Sequence, residues 1–261
     1  MRFLPGEPAL LMGKTLVIAD THLGTERDYR VAGYKFPSQT KELARKVLEL
    51  VARIHAEKLL IVGDVKHKVP GTSFQEEREV PDFFSRVSKQ LPVEIVPGNH
   101  DGMLAKLLPD IKIHPTSGVL IDDVYLCHGH SWPSPEFLNA SFLVISHNHP
   151  LIELKDRLGF RWLEKVWIRA ALEKKAIAEK YTAKLKGRLP ELVVMPTFSD
   201  LVGGFAMNRT DKKPLGPVLK LAKLSGAKVF LLDGTFLGEL KDLNAKARLT
   251  FSKRKQENSQ D

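Results

Sequence analysis

The first hundred residues repeat one pattern three times. A short run of aliphatic and β-branched residues ends abruptly in polar ones: Thr15 to Ala19 before Asp20, Leu59 to Val62 before Gly63 and Asp64, and Val93 to Val96 before Pro97, Gly98 and Asn99. Unbroken apolar runs this short predict strands buried on both faces, as in a sheet covered by helices. Between the first two runs, after Pro37 and Ser38, the residues Leu43, Val47, Leu50, Val51 and Ile54 recur at helical spacing and predict an amphipathic helix. Ser73 and Glu76 have the spacing of a capping box that opens a short helix, and Asp82 to Leu91 predicts another helix before the third run. The layout is βαβαβ. In open α/β sheets ligands bind beyond the carboxyl ends of the strands, which is where the polar residues fall here.

The second half changes character. Gly118 to Ile121 and Val124 to Cys127 flank Asp122 and Asp123 as a hairpin, Ser141 to Ile145 is a further short buried strand, and Val229 to Leu232 with Thr235 to Leu240 form a last hairpin around Asp233 and Gly234. Residues 155–188 carry 11 Lys and Arg against 4 Asp and Glu, so most of the net charge is concentrated there. Ile177, Tyr181 and Leu185 predict an amphipathic helix with a basic outer face in its later part, while Arg161, Leu163, Lys165 and Ile168 alternate more as a strand would. Residues 1–240 are expected to form a single domain, with the basic and polar tail 241–261 partly disordered.

A chain of 261 residues is long enough for one large α/β domain. Its 40 Lys and Arg against 31 Asp and Glu, a net charge of +9, favour polyanionic partners such as nucleic acid, although a basic surface can also serve solubility alone. A single cysteine, Cys127, excludes an internal disulfide framework and fits a reducing interior, so the expected location is the cytoplasm. Pro5, Gly6 and Pro8 interrupt the start before a signal-type apolar core develops, and no run approaches a membrane span.

Five short polar signatures carry the chemistry: Asp20-Thr21-His22, Gly63-Asp64, Gly98-Asn99-His100-Asp101, His128-Gly129-His130 and His147-Asn148-His149. Each follows a predicted strand. Divalent cations of hard to borderline character take carboxylate, imidazole and amide oxygen ligands, and loops at strand ends can bring such side chains to one rim. The adjoining glycines permit tight turns and close approach of backbone to a phosphate.

In the order and setting of these signatures the sequence resembles the calcineurin-like metallophosphoesterases, particularly archaeal SbcD-related phosphoesterases, and is similar to the helicase- and ligase-associated DNA-damage endonucleases. The resemblance covers residues 15–150 and is carried more weakly beyond them by Met195 to Phe198 and by Gly203 and Gly204. It implies a four-layer α/β/β/α sandwich with two mixed sheets. It further implies that Asp20, His22 and His149 hold one metal, that Asn99, His128 and His147 hold the other, and that Asp64 bridges them. His100 would be the acid that protonates the leaving group, with Asp101 holding its tautomer. The usual Gly before the last His-x-His is Ser146, a departure that bears on turn geometry more than on the ligands. Two divalent cations would acidify a shared water for in-line attack on phosphorus. Manganese is the first choice for this sulfur-free set, though iron, zinc, cobalt or nickel could occupy the same cage.

The function so implied is a manganese-dependent phosphodiesterase, more narrowly a single-stranded DNA endonuclease of repair with a helicase or ligase partner. A small-molecule or cyclic-nucleotide phosphoesterase, or a scaffold subunit with a vestigial site, are the alternatives. Taken singly, an Asp at a strand end is usually a turn residue and a lone His usually surface or satisfied core; the set of signatures is what overrides that. His130 admits two readings, a phosphate contact or a turn cap. His67 could orient Asp64, touch substrate or merely pack its loop. If the basic stretch borders the cleft, Arg157, Arg161, Lys165 and Arg169 could track a phosphate backbone while Trp162 or Trp167 stacks on bases, but the tryptophans read more readily as core. His55 and His114 read as surface residues, and Cys127 as a small buried hydrophobe.

Overall fold

The computed structural model describes residues 1–182, 187–209 and 214–243. Its first sheet has six strands, β1 (Arg2–Phe3), β2 (Ala9–Met12), β3 (Thr15–Ala19), β4 (Lys58–Val62), β5 (Val93–Val96) and β6 (Lys112–Ile113), arranged in that order. From β3 to β6 the pairing is parallel, while β1 and β2 form an antiparallel edge. The helices α1 (Glu26–Val31), α2 (Thr40–Ile54), α3 (Phe74–Val87) and α4 (Leu104–Leu107) lie among these strands, so β3-α2-β4-α3-β5 is the βαβαβ unit expected from the apolar runs.

The second sheet contains β7 (Val119–Ile121), β8 (Val124–Leu126), β9 (Phe142–Ile145), β10 (Pro150–Lys155), β11 (Arg161–Ala171), β12 (Glu191–Val194), β13 (Phe205–Ala206), β14 (Lys228–Leu231) and β15 (Phe236–Glu239). Its order is β13-β10-β11-β12-β9-β8-β7, with β14 joining β11 to β15. It too is mixed, because β8, β9 and β12 run parallel while β10, β11, β12 and β14 pair antiparallel. The helix α5 (Lys174–Tyr181) follows β11.

Alternation along the strands separates three apolar layers. Leu16, Ile18, Leu59 and Ile61 face α2 and α3, where Val47, Leu50, Val80, Phe83 and Phe84 complete one core. Val17, Ala19, Leu60 and Val62 point the other way and meet Val124, Leu126, Val144, Trp167 and Val193 of the second sheet. Leu143, Ile145, Ile168 and Val194 face outward again, toward Ile177 of α5 and Leu219 and Leu221 of a 3-10 turn. This is the four-layer α/β/β/α sandwich. Each fully buried Leu, Ile or Phe here contributes roughly 1.5–3 kcal/mol, which makes the middle layer the main tie between the sheets.

Two expectations are corrected. Residues 73–87 form one helix rather than two: the capping box of Ser73 and Glu76 opens it, and Pro81 lies inside it, tolerated because Val80, Phe83, Phe84 and Val87 bury one continuous face. The stretch 155–188 holds, as expected, a strand over its alternating part, β11, and a helix in its later part, α5 with Ile177 and Tyr181; Leu185 falls outside the described residues, as does the tail beyond Leu243. His114 is not a surface residue, for its Nε2 lies 2.6 Å from Glu94 Oε2 and its side chain is only 9% exposed. Trp167 is core, as expected, whereas Trp162 is half-buried against the outer core.

Candidate metal centre

All five polar signatures converge on one rim of the sandwich. Asp20, Asp64 and Asn99 follow β3, β4 and β5 of the first sheet, and His128, His147 and His149 follow β8 and β9 of the second. Ligand atoms of Asp20, His22, Asp64 and His149 lie within 4.8 Å of one another, and so do those of Asp64, His128 and His147. Asp64 belongs to both groups. Asn99 is exposed and lines the same cleft.

The donor atoms crowd in a way that ordinary hydrogen bonding does not explain. His22 Nε2 is 3.3 Å from His149 Nε2, and His149 Nε2 is 3.3 Å from Asp20 Oδ2. His128 Nε2, completely buried, lies 3.2 Å from Asp20 Oδ1 and 3.4 Å from Asp64 Oδ2 yet makes no well-aligned hydrogen bond. Metal–ligand bonds of roughly 2.0–2.2 Å place neighbouring ligand atoms about 3 to 3.5 Å apart, so the spacing suits cations in their midst.

The electrostatics agree. Burial pushes the Asp20 carboxyl up, but His149 and His128 beside it hold it well below the usual carboxylate range. Burial lowers His22 far below its ordinary value and takes His147 down to about 3, so both imidazoles are neutral and free to donate lone pairs. His149 donates from the far side of its ring toward the Gly203 carbonyl, at 3.0 Å from Nδ1, which fixes the nitrogen offered to the site.

The backbone is bent to this purpose. Asp20, His22, His147 and His149 have φ of 52, 46, 59 and 40°, a left-handed conformation that costs non-glycine residues about 1 kcal/mol or more each. Tertiary contacts hold them there: Ser146 Oγ lies 3.1 Å from Asp20 Oδ1, His147 N–H donates to Asp20 Oδ2, and Thr197 Oγ1 donates to the Asp20 carbonyl. The Ser146 departure thus adds a hydroxyl against Asp20, a role its position before the histidine pair did not disclose.

The remaining site expectations divide. His100 lies at the mouth, with Nε2 3.7 Å from Asp64 Oδ2 and its backbone N–H donating to Asp64 Oδ1. Asp101 does not touch the His100 ring. It is buried and accepts from the N–H groups of Val65, Lys66 and Gly98, tying two site loops together, while the His67 carbonyl takes the place opposite His100 Nδ1. Burial raises Asp101 to about 6. His67 lies 3.3 Å from His22 Nδ1 and 3.1 Å from Asp28 Oδ2, and with His22 and His100 makes a third close group of ring nitrogens. His130 Nδ1 is 2.8 Å from His128 Nδ1, on the side of that ring away from Asp20 and Asp64. Burial lowers His130 to about 4.

Lys165 is turned away from any substrate, since its Nζ donates to Asp200 Oδ1 and to the Ser199 carbonyl. Arg161 pairs with Glu153 at 3.0 Å and Arg169 with Glu191 at 2.7 Å. Arg209 was not singled out from sequence; it reaches Glu153 at 3.4 Å and lines the cleft with Leu163, Phe205 and Leu215. That cleft, about 930 Å3 in volume, lies open over the metal centre.

A family model described as calcineurin-like phosphoesterase matches residues 13–183, more than half of the chain, and the chain belongs to this family of metal-dependent phosphoesterases. Among solved structures it is similar to the nuclease MPE of Pseudomonas putida, with 19% identity over 88% of this chain and 91% of that one and a TM-score of 0.55. It is also similar, at a TM-score of 0.39 and 15% identity, to the phosphoesterase Yfce of E. coli, over 86% of this chain and 96% of that one. No curated protein matches significantly. No described helix is long and apolar enough to cross a membrane.

Proposed function

We propose that the protein is a manganese-dependent phosphodiesterase acting on nucleic acid, more narrowly an endonuclease for single-stranded DNA in repair. The observation that carries the diesterase reading is the pair of donor groups sharing Asp64 at the floor of an open cleft far larger than one phosphate. In this reading Asp20, His22 and His149 hold one cation, Asn99, His128 and His147 the other, and residues 1–240 act as one catalytic unit. The donors are nitrogen and oxygen without sulfur, which suits manganese. When bound, a cation pair supplies positive charge against the phosphate and acidifies water at neutral pH.

The chain's own residues do the rest. The His67 carbonyl accepts from His100 Nδ1–H and so turns Nε2 to the cleft, from where the imidazolium form can pass its Nε2 proton to the leaving oxygen and be left as the neutral Nδ1–H ring. Asp64 Oδ2 lies 3.7 Å from that nitrogen. Leu163, Phe205 and Leu215 on the wall supply an apolar surface for a base. The similarity to a nuclease supports a nucleic-acid substrate. A second reading, a small-molecule phosphodiesterase, draws support from the pairing of Arg161, Lys165 and Arg169 with carboxylates.

One assay separates these. Purified protein with manganese should hydrolyse a chromogenic diester faster than a monoester and should nick circular single-stranded DNA. Diester hydrolysis without nicking would leave the small-molecule reading, and no hydrolysis of any of the three would overturn both.

A further inference from the structure

The loop between β4 and α3 holds two buried charges that the metal centre does not use. Lys66 and Glu76 are both fully buried. Burying an ionised side chain costs several kcal/mol unless hydrogen bonds replace its water, and here the replacements are nearly all backbone. Lys66 Nζ donates to the carbonyls of Lys68 and Gly71 at 2.7 and 2.6 Å. Glu76 divides its two oxygens. Oε2 accepts from Ser73 N–H at 2.6 Å while Glu76 N–H donates to Ser73 Oγ at 3.3 Å, the pair of bonds that makes the capping box of α3, and Oε2 also accepts from Ser73 Oγ at 2.8 Å. Oε1 instead accepts from the N–H groups of His67 and Lys68 at 2.9 and 2.6 Å, outside the helix it caps.

A helix cap requires only the first pair of bonds. The second pair grips His67, whose carbonyl meets His100 Nδ1. Glycine 24, which follows the His22 loop, makes room for this reach, because a Cβ there would come within 2.7 Å of Glu76 Cγ. His67 N–H is also 3.0 Å from the Leu23 carbonyl, so the same clamp joins the His22 loop to the His67 loop. We propose that Glu76, assisted by Lys66, is a positioning residue for phosphate-ester cleavage: it holds the His67 carbonyl against His100 and so sets which ring nitrogen faces the leaving group.

The inference rests on His100 being the acid, and the test keeps the two claims apart. Cleavage of diesters with good and poor leaving groups is compared for wild type, His100→Ala, Glu76→Gln and the double variant, with thermal melts to verify folding. Glu76→Gln keeps one acceptor oxygen but cannot serve both sets of donors. It should slow poor leaving groups about 10-fold more than good ones, and should add less than about 2-fold once His100 is alanine. In the metal-free protein, 15N spectra should show His100 losing its single Nδ1–H tautomer.

Equal slowing for all leaving groups, additivity with His100→Ala, or an unchanged His100 tautomer would overturn the positioning role. If His100→Ala itself shows no leaving-group dependence, the acid assignment fails instead. Should Glu76→Gln not fold, Lys66→Gln is put through the same comparison: it removes the grip on the Lys68 and Gly71 carbonyls while leaving the cap of α3 intact, and the same outcomes decide.

Discussion

At Gly98 the metal centre leaves no room for even one methyl group. A Cβ there would come 2.1 Å from the side-chain atom Oδ1 of Asp64, the proposed bridging ligand, and 2.4 Å from its backbone N. Gly98→Ala should therefore weaken divalent-metal binding by about 10-fold or more in calorimetry while circular dichroism shows the fold intact. His114 provides a residue-scale test away from the site. Burial raises Glu94, but hydrogen bonds from His114 and Lys58 outweigh it and hold the carboxyl at about 2, below its ordinary 4.5. Stability from this group is complete above pH 4.5 and is lost as the pH falls from there toward 2. His114→Ala should cost about 1.5 kcal/mol at neutral pH and move the acid-unfolding midpoint upward in a pH titration followed by fluorescence. Cys127, pushed up to about 12 by burial, should react with thiol reagents only after denaturation.

At the scale of elements, β3, β4, β5 and β9 were legible because buried strands leave unbroken apolar runs, and the polar residues ending them announce the rim. What the sequence concealed depends on neighbours distant along the chain. His114 lies just after β6, and only the pairing of β6 with β5 brings it to Glu94. Ser146 is a turn residue by position, and the approach of β3 to β9 across the sandwich gives it Asp20. Asp101 looked like the partner of His100 because it is adjacent, yet the tight turn sends its carboxylate back to Gly98 and across to Val65. Pro81 lies within α3, which runs through it on the strength of its buried face. Phe83→Ala on that face should cost about 3 to 5 kcal/mol in urea unfolding. In β11 these cations are already paired, so under the proposed nuclease function Lys165→Ala and Arg169→Ala should leave the salt dependence of cleavage unchanged, a result read from rates at several salt concentrations.

At the scale of the whole molecule, each sheet presents part of the donor set and neither presents all of it. Asp20, Asp64 and Asn99 stand on one, and His128, His147 and His149 on the other, across the apolar middle layer. Bound cations therefore add to the tie between sheets, and chelation should lower the melting temperature; at free metal about a thousand times its dissociation constant the difference amounts to about 4 kcal/mol. The cage is also assembled late by necessity. A chain with only its first sheet in place brings together Asp20, His22, Asp64 and Asn99 but lacks His128, His147 and His149, so tight metal uptake reports that both sheets have docked. The ion is in that sense an inspector of the finished sandwich, admitted only after the last seam has closed.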